Sequence, residues 1–157
     1  MSLDKVKEAI EVEIEEIESL FELYKVELFD LKRPPNLVEL TALASVLHSF
    51  YNGIENILLN IAKKIDKNPP SDSDWHKSLL LQMTKENKYR KPVLSIKMKD
   101  ELKKYLTFRH FFRHSYSFHL EWEELEKLVK PIHQVWERFK SEILLFLSLL
   151  KVAYGDE

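Results

Sequence analysis

The sequence predicts an all-α protein, an antiparallel four- to five-helix bundle, and three observations carry that expectation. Apolar residues recur at steps of three and four along most of the chain. Glycine occurs only at Gly53 and Gly155, and no stretch alternates apolar and polar residues as a half-buried strand does. At 157 residues the whole chain, 1–157, is expected to form a single domain, long enough to bury a core without cross-links.

Each element follows from its own spacing. Leu3, Val6, Ile10, Ile14, Ile17, Phe21, Tyr24 and Leu28 define a first helix of about 25 residues, stopped ahead of Pro34-Pro35, with a glutamate-rich outer face. Asn36 is placed to cap a second helix whose stripe is Leu40, Leu43, Leu47, Tyr51, Ile54, Leu58, Ile61 and Ile65, ending at Asn68-Pro69-Pro70. The short connection between these helices predicts an antiparallel pair. Ser71 to Asp74 supplies caps for a third helix, from Trp75 to about Glu86, and Ser95 caps a fourth beyond Pro92. The last helix is expected from about Glu121 to Val152, kinked by Pro131, with Trp122, Leu125, Leu128, Val129, Val135, Trp136, Phe139, Phe146 and Leu150 inward.

Composition removes several function classes. Without cysteine there is no disulfide framework, thiolate metal site or cysteine nucleophile. The N-terminus turns acidic at once and lacks the pattern of a signal peptide. The longest apolar stretch, Ile143 to Val152, is interrupted by Ser148 and Lys151 and falls short of the roughly 20 residues of a membrane span. A soluble, cytoplasmic protein with no membrane partner is the expectation.

Net charge is −2, yet the charge is unevenly placed. Residues 1–30 hold ten acidic and three basic side chains, whereas residues 85–113 hold ten Lys or Arg against Glu86, Asp100 and Glu101. Such a segment is either a solvated lysine-rich surface or a patch that attracts phosphates.

The fourth helix contains an anomaly. Leu102, Tyr105, Arg109, Phe112 and Tyr116 fall on one stripe, so a guanidinium stands on the core-facing side. A buried arginine needs a carboxylate, for which Glu55 of the second helix is a candidate, or a cleft through which an anion reaches it. Beside it, His110 and His114 stand four residues apart on one face. Imidazoles can take up and return protons near neutrality, and this spacing also suits a helical metal pair, although no third ligand or intervening glutamate accompanies it. His48, His76, His119 and His133 read as structural.

The block Arg109-His110-Phe111-Phe112-Arg113-His114-Ser115-Tyr116 matches the signature of the HEPN ribonucleases: arginine, a polar residue, three variable positions and a histidine. The tyrosine two residues later marks the HepT-like branch, which the chain resembles. Phe50-Tyr51-Asn52-Gly53-Ile54-Glu55-Asn56, Trp75-His76-Lys77, Arg90 with Pro92, and Glu121-Trp122 extend the resemblance in consistent order. Ser115 replaces an alanine, and His110 stands where many HepT proteins have asparagine.

The resemblance implies a bundle of HEPN type and a homodimeric, toxin-type endoribonuclease that needs neither metal nor organic cofactor. It casts Arg109, His114 and His110 as catalytic residues acting on RNA, with a 2′,3′-cyclic phosphate as product. Arg113, Lys103 and Lys104 become candidate RNA contacts. It further implies a nucleotidyltransferase antitoxin, MntA-like, that transfers AMP to Tyr116, so that bulk and negative charge arrive beside Arg109. The alternative is a non-catalytic module that serves as partner or substrate-binding subunit of a nucleotidyltransferase.

Overall fold

A computed structural model describes residues 3–114 and 119–154. α1 (Leu3–Leu23) and α2 (Leu37–Lys64) lie antiparallel, with Phe21 against Phe50 and Glu13 beside Asn56. The predicted stripes are the buried faces: Val6, Ile10, Ile17, Phe21 and Leu28 on one side, and Leu43, Leu47, Tyr51, Ile54, Leu58 and Ile61 on the other. Gly53 allows the close approach, because a Cβ there would stand 2.7 Å from Cγ1 of Ile17. Past Leu23 the backbone widens into a π turn, Val26–Asp30, which keeps Leu28 inward.

The turn between the two helices is fixed by polar contacts. Asn36 and Glu39 form a reciprocal capping box with both bonds at 2.9 Å, and Arg33 grips both oxygens of Glu39 at 2.6 and 3.1 Å.

α2 is the central helix, and α1, α4 and α5 all pack on it. α3 (Trp75–Met83) is shorter than its spacing suggests, because the Met83 carbonyl accepts the amides of Val93 and Leu94 and Thr84 turns its hydroxyl back to Leu81. α4 (Ile96–His114) starts at Ser95, whose hydroxyl accepts the Met98 amide, and runs antiparallel to α2 with Tyr105 against Phe50 and Phe112 against His48. Pro131 separates the last expected helix into α5 (Trp122–Val129) and α6 (Ile132–Tyr154), a sharper effect than a kink, since proline brings no N–H to the helical ladder. The all-α bundle therefore has six α-helices among the described residues.

Between α3 and α4 the loop is held by Arg90. Its Nε donates to Oδ1 of Asp66 at 2.7 Å and its Nη2 to Oδ2 at 2.6 Å, while Nη1 donates to the carbonyls of Lys85 and Lys91 and Nη2 also reaches the Gln82 carbonyl. Gln82 donates to the same carboxylate at 2.8 Å. Arg90 thus leaves the positive surface that the sequence suggests for residues 85–113. Lys91, Lys99 and Lys104 are also engaged, with Glu86, Asp100 and Glu101. The exposed cationic surface is correspondingly smaller than the sequence count.

Candidate functional site

Arg109 comes from the inward stripe of α4, where Leu102 and Tyr105 are buried. Its Nη1 donates to Oε1 of Glu55 at 3.1 Å and lies 3.2 Å from Nδ1 of His76. That same Nδ1 lies 2.7 Å from Oε2 of Glu55. Three helices thus meet: α2 brings the carboxylate, α3 the imidazole and α4 the guanidinium. Trp75 stacks on the His76 ring at 3.7 Å between centroids and fixes its plane.

The cluster is incompletely satisfied. Arg109 Nε is buried without a partner, as are the Tyr51 hydroxyl and His48 Nδ1, and Nη2 of Arg109 has no partner among the described residues. The Arg109 side chain keeps 13% of its surface open, against 5% for Glu55. The cluster also biases its neighbours electrostatically. Burial, assisted by the adjacent Glu55 charge and opposed by Arg109, pushes the Tyr51 phenol far up, so it stays protonated. Burial, then the Arg109 and Arg113 charges, hold His48 below the usual histidine range.

The other residues of the predicted motif sit differently. His110 and His114 are exposed, their rings 4.5 Å apart, and Arg113 is exposed beside them. At about 100° per residue, Arg109 and His114 point about 140° apart around the helix axis, so one copy of α4 does not bring both side chains to one point. Lys99, Lys103, His110 and His114 instead share an arc of about 60°, a cationic and imidazole track along the outer face. Lys103 and Arg113 are exposed and have no carboxylate partner among the described residues. Lys104 lies on the far side, pairs with Glu101 at 3.5 Å and borders an apolar groove with Phe108, Phe111, Leu125 and Leu128. Tyr116 lies outside the described residues.

Glu55, the candidate carboxylate, is the partner of Arg109, whereas the sequence does not reveal His76 and Tyr51 as its neighbours. The sequence signal for Glu55 is a carboxylate on a core stripe. His76 carries no such signal, because the packing of α3 alone brings it there. Among the described residues no group of three or more His, Asp or Glu side chains is arranged to hold a metal ion, and no helix there is long and apolar enough to cross a membrane.

The family model described as HepT-like protein matches residues 42–150, from the second turn of α2 to near the end of α6, and so includes every residue of this cluster. No curated protein matches the chain. No solved structure matches it.

Proposed function

This chain belongs to the HepT-like family, and from that premise we propose that it is a toxin-type endoribonuclease that cleaves RNA without a metal ion. The observation that carries the proposal is the state of Arg109: a guanidinium only 13% exposed and anchored through one nitrogen, with Nε unpartnered and Nη2 without a partner among the described residues. Two adjacent guanidinium nitrogens match two non-bridging oxygens of a phosphodiester.

RNA supplies the nucleophile. His114 accepts the proton of a ribose 2′-hydroxyl, the 2′-oxygen attacks phosphorus, and the bond to the 5′-oxygen breaks. The products are a 2′,3′-cyclic phosphate and a 5′-hydroxyl end. Arg109 stabilises the charge that builds on the phosphate, and His110 orients the substrate. The 5′-oxygen needs a proton as it leaves. The His114 of a second copy can provide it, and the angular separation of Arg109 and His114 on one helix supports a cleft completed by pairing two chains. Lys103 and Arg113, exposed on the outer surface, favour approach of the polyanion.

Control by a partner nucleotidyltransferase that adds AMP to Tyr116 is part of the same proposal. An AMP phosphate close to Arg109 would occupy the donors that RNA needs. Mass spectrometry of the chain after incubation with that enzyme and ATP should place AMP on Tyr116, and an adduct confined to another residue removes this part.

One observation favours the second reading, a non-catalytic module: the inward pairing of Arg109 with Glu55 is also what a structural ion pair would look like. A mixed RNA pool incubated with the purified protein in EDTA, with product ends analysed, separates the two. Cyclic phosphate ends that disappear in both Arg109→Ala and His114→Ala support the enzyme, with losses of about two to four orders of magnitude. Folded variants cutting at the parent rate remove it.

A further inference from the structure

Nδ1 of His76 faces two groups with opposite requirements. Oε2 of Glu55, at 2.7 Å, is a carboxylate acceptor, and Nη1 of Arg109, at 3.2 Å, is a donor that keeps its protons. An imidazole nitrogen has one hydrogen-bonding direction in the ring plane, and the Trp75 stack holds that plane. With a proton on Nδ1, His76 donates to Glu55 and turns an N–H towards Arg109. With a lone pair there, it accepts from Arg109 and faces the carboxylate unfavourably. The two contacts are mutually exclusive.

The rest of the surroundings leaves this choice to His76. From α2, Glu55, the protonated Tyr51 and His48 surround Arg109; from α4, Arg113 is the other nearby charge. Glu55 is the one carboxylate that pairs with Arg109 among the described residues. The His76 side chain is 28% exposed, so protons reach it from solvent.

We propose that His76 is a positioning residue for Arg109: an N–H at its Nδ1 engages Glu55 and loosens the guanidinium towards a phosphate, and a lone pair at Nδ1 draws the guanidinium inward. This rests on the RNA-cleavage reading for its consequence but not for its geometry. It predicts that cleavage depends on an imidazole that touches neither the ribose nor the phosphorus.

The test compares the parent with His76→Leu and His76→Asn. The asparagine amide stands near the place of Nδ1 and offers donor and acceptor together without titrating. Single-turnover cleavage by His76→Leu is expected to fall about tenfold to a hundredfold, the scale of a misplaced binding group, while affinity for an uncleavable 2′-deoxy RNA and the melting temperature change little. His76→Asn should recover most of the rate. His76→Leu at the parent rate overturns the proposal, as do equal losses in both variants that track their melting temperatures. A parent that cuts no RNA defeats the catalytic reading alone. In that case nitrogen-15 NMR decides: the Arg109 Nε–H resonance should move in His76→Leu and return towards its parent position in His76→Asn. An Arg109 resonance indifferent to both His76 substitutions overturns the proposal.

Discussion

Two internal arginines, Arg90 and Arg109, pair with carboxylates of the same helix region and differ in how completely they are used. Arg90 is fully enclosed and all three of its nitrogens find acceptors in Asp66 and three carbonyls. Among the described residues Arg109 is anchored through Nη1 alone, and it shares its carboxylate with a histidine. A guanidinium whose directions are all taken can do nothing further, whereas one with open directions holds binding capacity in reserve. Burial alone does not distinguish structure from site; the count of unspent donors does.

The contrast is broken most directly at Arg90. Arg90→Ala strands Asp66 in the interior and should cost about 3–5 kcal/mol in urea unfolding, with the remaining folded fraction cutting RNA at the parent rate. Arg109→Ala should cost less, about 1–3 kcal/mol, because His76 can still donate to Glu55, while cleavage collapses. Equal destabilisation by the two substitutions would erase the distinction.

A smaller effect concerns acid. His48 is depressed below its ordinary 6.5 by burial first and then by Arg109 and Arg113. A base with a depressed folded value binds fewer protons folded than unfolded, so this contribution is complete above about pH 6.5 and is lost as pH falls below it. His48→Phe should remove part of the acid-side slope in melts at a series of pH values, and Arg109→Ala should reduce it. An unchanged slope in both would show that the burial is not felt. Smallest of all, Lys103→Ala and Arg113→Ala should leave stability within about 0.5 kcal/mol. Each should lower the salt dependence of RNA binding by about one ion.

Much of this arrangement is legible from side-chain spacing. The stripes of α1 and α2, the Asn36 cap, the Ser95 cap and the inward position of Arg109 with Glu55 all follow from periodicity and local chemistry, which act within a few residues. What is not legible depends on contacts between distant segments. The end of α3 is set by the 93–94 strand of loop that takes the Met83 carbonyl, and Arg90 is withdrawn from the charged surface by Asp66. His76 resembles any surface histidine until α3 docks. The separation at Pro131 was expected as a bend, and whether a proline bends or divides a helix is decided by the packing on either side.

The sequence distances within the two arginine clusters differ as well. Arg90 and Asp66 are 24 residues apart, whereas Arg109 lies 33 residues beyond His76 and 54 beyond Glu55. The Arg90 clamp closes one loop onto the end of α2, whereas the Arg109 cluster exists only once α2, α3 and α4 have all docked. Displacing any one of those three helices disperses the carboxylate, the imidazole and the guanidinium together.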